Sequence, residues 1–88
     1  MKSRKKDFVR AKVNTRITPG EMLKTLRELQ GMTQKELSEE SGIPQSNISA
    51  IESGATQLGR ERALSLARTL KVHPAVILFP DFDGSEVA

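Results

Sequence analysis

The chain has 88 residues, 36% of them hydrophobic, 3% aromatic and 28% charged, with no cysteine, tryptophan or tyrosine and a formal net charge of +3. This length supports one compact domain of about 60 to 65 residues with terminal extensions, modest in stability and helped by dimerisation. The absence of cysteine excludes disulfide frameworks, thiolate zinc sites and cysteine nucleophiles, and the scarcity of aromatics excludes a stacking platform for single-stranded nucleic acid.

No apolar run approaches the roughly 18 residues a membrane span needs, and the basic start is followed by an alternating segment rather than a signal-peptide core. The expectation is a soluble, cytoplasmic protein without membrane association. Charge is unevenly spread. Residues 1–17 carry Lys2, Arg4, Lys5, Lys6, Arg10, Lys12 and Arg16 against Asp7, a net of +6, and the remainder is net −3. A basic arm on a mildly acidic body suits contact with a polyanion, and equally a solubilising tail.

In "FVRAKVNTRI", Val9, Ala11, Val13, Thr15 and Ile17 fall on one side and Arg10, Lys12, Asn14 and Arg16 on the other. A period of two predicts a strand, and a lone strand on a helical chain needs a partner for its backbone groups. Val9, Ala11, Val13 and Ile17 are therefore candidates for pairing with a second copy or another protein. The competing reading is a basic leader, reaching DNA, in which the alternation is accidental.

"TPGEMLKTLRELQGM" opens a helix. Thr18 and Glu21 form a capping box, Pro19 takes the first helical position, and Met22, Leu23, Leu26 and Leu29 recur at helical spacing, with Gly31 as C-terminal cap. Thr33 and Glu36 form a second capping box for a short helix ending near Ser41, where Gly42 breaks the chain. A third helix is predicted from about Gln45 to Glu52, after Ile43 and Pro44 and before Ser53 and Gly54. "RERALSLARTL" predicts a fourth, with Ala63, Leu66, Ala67 and Leu70 inward and Leu64 beside them. "HPAVILFP" predicts a short fifth, capped by His73 and ended by Pro80, and residues 81–88 form an acidic tail expected to fray.

Two short helices joined by a tight glycine turn, the second helix offering polar side chains, make a helix-turn-helix pattern. With Gln34 as position one, Leu37 is four, Ser38 is the small residue at five, Gly42 is nine, and Ile43, Ile48 and Ile51 are ten, fifteen and eighteen. Position five must be small for the helices to approach, position nine must tolerate positive φ, and the isoleucines bury the second helix against its neighbours.

On "LRELQGMTQKELSEESGIPQSNISAIESG" followed by "ALSLARTLKVHPAVILF", the chain resembles the Cro and cI repressor-type helix-turn-helix family, also called the xenobiotic-response-element family, from about Thr18 to Phe79. The resemblance implies an all-α, five-helix domain over residues 18–80, here with an N-terminal β-strand extension in residues 1–17. Ser38, Ser41, Pro44 and Ala50 depart from the family's usual residues.

With Ile48 and Ile51 inward, Gln45, Ser46, Asn47, Ser49 and Ala50 point outward as candidate base contacts in a major groove. Gln can bond adenine N7 and N6 together, and Ser and Asn can read base edges or phosphates; neutral groups discriminate where Lys would bind any DNA. Gln34 resembles the family's phosphate-contacting glutamine. Thr56, Gln57 and Arg60 are further candidate phosphate contacts. The resemblance also implies a structural bridge between Arg27 and Glu52.

With one His and no Cys, the chain lacks the convergent groups of an enzyme, and no metal or other cofactor is expected. His73 reads as a helix cap, and Glu39 and Glu40 as solvated charges. The function implied is a transcriptional repressor that binds an operator of two half-sites as a homodimer. The size, the extra strand and the lack of a ligand-sensing domain in the sequence make it similar to antitoxins of type II toxin–antitoxin operons, with a toxin as second partner. The alternatives are a stand-alone repressor and a module chiefly for protein interaction.

Overall fold

A computed structural model of the protein describes residues 17–80, which contain five helices in the order α1 (Pro19–Leu29), α2 (Gln34–Ser41), α3 (Gln45–Ser53), α4 (Arg60–Leu70) and α5 (Pro74–Leu78). Each boundary has a chemical cause. In α1 the Thr18 hydroxyl accepts from the Glu21 N–H at 3.1 Å while the Glu21 carboxylate accepts from the Thr18 N–H at 3.0 Å. Thr33 and Glu36 repeat that exchange at α2, at 3.0 and 2.8 Å. Such reciprocal bonds satisfy donors that a helix start otherwise leaves orphaned. The His73 imidazole accepts from the Ala75 N–H at 3.0 Å, so this residue caps α5.

α1 packs on α3 and α5, α2 on α3 and α4, and α4 on α5. Leu23, Leu37, Ile48, Ile51, Leu66, Leu70 and Ile77 are fully buried where these faces meet, an aliphatic core drawn from all five helices. Among the described residues no helix is long and apolar enough to cross a membrane.

Two expectations need correction or restriction. Leu29, expected on the inner stripe of α1, is 77% exposed. It lies roughly 120° round the helix from Leu23, whereas Gly20, Leu23 and Arg27 share the buried side. A charged residue thus occupies the core-facing row where an apolar one was sought. Gly31 closes α1 as expected: it takes the left-handed conformation, φ 72°, directly after Gln30, its N–H donates to the Glu28 carbonyl at 3.0 Å and the Met32 N–H donates to the Arg27 carbonyl at 3.0 Å. The strand expected at Val9, Ala11 and Val13 lies outside the described residues; Ile17 alone of that set is described, and it is exposed and outside any regular element. The described residues contain no strand.

Gly20 has a role that the sequence reading did not assign. A Cβ at this position would overlap the Ile51 carbonyl oxygen and come within 3.3 Å of the Glu52 Cα. The bare backbone of α1 therefore lies directly against α3, and no side chain fits between them.

Candidate nucleic-acid interface

The turn between α2 and α3 fixes how α3 is presented. Gly42 takes the left-handed conformation, φ 81°, at the end of α2. The Ile43 side chain is then buried, and its two backbone polar groups are held by serines: the Ser38 hydroxyl donates to the Ile43 carbonyl at 2.6 Å, and the Ser41 hydroxyl accepts from the Ile43 N–H at 3.2 Å. Ser65 of α4 donates to the Ser41 carbonyl at 3.2 Å. The two serines that depart from the family pattern thus close the turn's own hydrogen bonds to the Ile43 backbone.

α3 begins after Pro44 without a side-chain cap, so the first N–H groups of the helix remain available to a ligand. Ile48 and Ile51 face the core. Gln45, Ser46 and Ser49 are exposed, while Asn47 and Ala50 are half-buried. Glu52 is the single charged residue of α3, and it points inward. The exposed side of this helix is consequently neutral, made of amides and hydroxyls.

Arg27 of α1 reaches Glu52 through two hydrogen bonds, Nε to Oε2 at 2.8 Å and Nη2 to Oε1 at 2.9 Å, and donates from Nη1 to the Met32 carbonyl at 2.8 Å. Both side chains are buried, 10% and 4% exposed. The hydrogen bond to Glu52 raises the guanidinium pKa above its ordinary value against the opposing effect of burial, so the group stays charged. Gln34, at the first turn of α2, donates to Glu52 Oε1 at 3.0 Å. This half-buried glutamine is therefore tied to the ion pair, and Lys24, Gln34, Ser49 and Ser53 line a polar hollow over it.

Thr56 and Gln57 lie exposed in the loop after α3, and Arg60 is exposed as the first residue of α4. Arg62, two residues further on and unremarked in the sequence reading, contacts Asn47 of α3. With the Asn47 amide oxygen turned toward it, that oxygen accepts from Nη1 at 3.2 Å and from Nη2 at 2.6 Å. Contacts between residues fifteen apart on different helices leave no periodic signal, so pattern reading has no means of finding this one.

Two helices set by a left-handed turn, the second uncapped and neutral on its outer side, define a helix-turn-helix domain of the Cro/cI repressor type. Residues 23–77 match the helix-turn-helix family, and the chain belongs to it. It is 40% identical over 60 residues to an uncharacterized HTH-type transcriptional regulator, y4dL, of Sinorhizobium fredii, covering 68% of this chain. The chain spans 30% of that relative's length. Its structure is similar to the restriction-modification controller protein C.AhdI from Aeromonas hydrophila, at TM-score 0.67 and 27% identity over 70% of this chain and 94% of that one. It is also similar to the P22 c2 repressor protein, solved in complex with a synthetic operator, at TM-score 0.66 and 26% identity over 73% and 96% of the two chains.

Proposed function

We propose that the protein is a sequence-specific double-stranded DNA-binding transcriptional regulator, a repressor, that lays α3 in the major groove. The observation that carries this reading is the neutral outer side of α3, with Gln45, Ser46 and Ser49 exposed while Ile48 and Ile51 anchor the helix from below. Gln45 and Ser46, at the entering end, meet base edges first; Asn47, Ser49 and Ala50 follow. Thr56, Gln57 and Arg60 contact flanking phosphates, and the Arg27–Glu52 pair orients α3. Gln34 contacts phosphate through the second hydrogen of Nε2, the first being donated to Glu52. This is binding chemistry and not catalysis.

A single recognition helix reads too few base pairs to define one genomic site, so the protein acts as a two-fold dimer on half-sites about one helical turn apart. Likeness to a controller protein and to a repressor solved on its operator supports the stand-alone regulator. The antitoxin reading rests on the alternation at Val9, Ala11, Val13 and Ile17, where a toxin would supply the pairing edge. Selection of bound duplexes from a random library, followed by footprinting, tests the main reading: a paired, spaced motif is expected, and protection of one isolated half-site by a monomer overturns the dimer. Co-purification from native cells separates the two regulators, since an antitoxin brings its toxin with it.

A further inference from the structure

Arg62 stands in the first turn of α4 with an exposed side chain, yet its guanidinium turns back to α3 and clasps the Asn47 amide oxygen from two nitrogens, at 3.2 and 2.6 Å. The opposite amide orientation would set NH2 donors against guanidinium donors, so the contact itself decides which way the amide faces. A bond from a cation to a neutral oxygen is charge-assisted and stronger than an ordinary amide bond. Asn47 therefore has only the Nδ2 donor left with which to meet a base.

Resting on the reading of α3 as the recognition helix, we propose that Arg62 is a positioning residue that sets the base preference of Asn47. By holding the amide oxygen it converts a side chain able to read adenine into a donor-only group that reads guanine. An unrestrained Asn bonds adenine with both ends of the amide, its oxygen accepting from N6 and its nitrogen donating to N7. With the oxygen occupied, Nδ2 can still donate to N7 of either purine, but the adenine N6 donor has no acceptor to meet. Guanine presents O6 and N7, two acceptors, and both suit an NH2 group. A residue on α4 that touches no base thus alters what α3 reads.

The test uses the full chain, as wild type, Arg62→Met, Asn47→Ala and the double variant. Duplexes are first selected from a random library, and the base pair under Asn47 is identified as the one whose preference Asn47→Ala abolishes. Affinity is then measured on four duplexes differing only at that pair. Wild type is expected to favour guanine over adenine by about tenfold or more, the scale of one good amide–base contact. Arg62→Met should melt at the wild-type temperature and lose or reverse that preference, and in the Asn47→Ala background it should change nothing at this pair. Retention of the guanine preference by Arg62→Met overturns the proposal. So does an equal weakening on all four duplexes with a shallower salt dependence, which makes Arg62 a phosphate contact. If Asn47→Ala abolishes no preference, Asn47 reads no base and the proposal falls while the regulator reading stands. If wild type enriches no sequence at all, the reading of α3 itself falls and takes this inference with it.

Discussion

Arg27 and Glu52, one on α1 and the other near the end of α3, are joined by two hydrogen bonds of 2.8 and 2.9 Å in a nearly dry position. Removing one partner of such a pair leaves the other as an uncompensated buried charge. Arg27→Met is therefore expected to lower stability by about 3 kcal/mol. Glu52→Gln should cost less, because its amide oxygen still accepts from the guanidinium. Urea unfolding measures both. The dependence of DNA affinity on salt should keep its slope in Arg27→Met, and a loss of about one unit of slope with unchanged unfolding would make Arg27 a phosphate contact instead.

Gly20→Ala is expected to destabilise the fold by about 2 kcal/mol or more, since the new methyl has only backbone to meet and one of the two helices must move. Because the methyl meets the α3 backbone at Ile51 and Glu52, DNA affinity should fall further than the unfolded fraction explains. Wild-type stability in Gly20→Ala would show that α1 and α3 separate without penalty.

How much of this was legible beforehand depends on the range of each interaction. The helix starts at Thr18 and Thr33 are local, fixed by partners three residues away, and the sequence declares them. The isoleucines at 43, 48 and 51 are likewise readable from their spacing. The Arg27–Glu52 pair spans 25 residues, and composition and periodicity are silent about it; only family resemblance suggested it. Leu29 misled because periodicity counts apolar residues and gave no weight to Gly20 and Arg27, which share the buried row with Leu23. The roles of Gly20 and Arg62 required coordinates, because each depends on a neighbour on another helix. Ser38 and Ser41 looked like departures from a pattern, and their hydrogen bonds to Ile43 supply the physical reason for them.

Those hydrogen bonds carry a graded expectation. Ser38→Ala removes the donor to the Ile43 carbonyl and should cost about 1 kcal/mol, the usual contribution of one hydrogen bond in a half-buried place. Ser41→Ala breaks a longer contact, 3.2 Å, and should cost less. Equilibrium unfolding of the two variants checks the order, which a larger loss for Ser41→Ala would reverse.

Lys71 ends α4 in the left-handed conformation, φ 59° and ψ 44°, the one non-glycine residue among those described with positive φ. An L side chain there costs about 1–2 kcal/mol, and glycine avoids that while losing roughly 0.5–1 kcal/mol more chain entropy on folding. Lys71→Gly should therefore raise stability by about 0.5 kcal/mol. Thermal melting detects a gain of that size, and a lower melting temperature would mean that the lysine side chain makes a compensating contact.

Gln45 is the first residue of α3 and is exposed, with its amide unrestrained by the bonds that hold Gln34 to Glu52 and Asn47 to Arg62. A free amide can bond N6 and N7 of one adenine together, so Gln45→Ala should weaken binding to the selected site by about 1–3 kcal/mol and relax the preference at one base pair. Binding to random duplex should hardly change, because that depends on phosphate neutralisation, which an amide does not supply. Gln34→Ala provides the contrast. It removes a donor to Glu52 and a group beside the polar hollow, so it should lower stability slightly and weaken selected and random duplexes together. Fluorescence anisotropy on both duplexes separates the two variants: an equal loss on selected and random DNA in Gln45→Ala would make Gln45 a backbone contact and leave base reading to Ser46, Asn47 and Ser49.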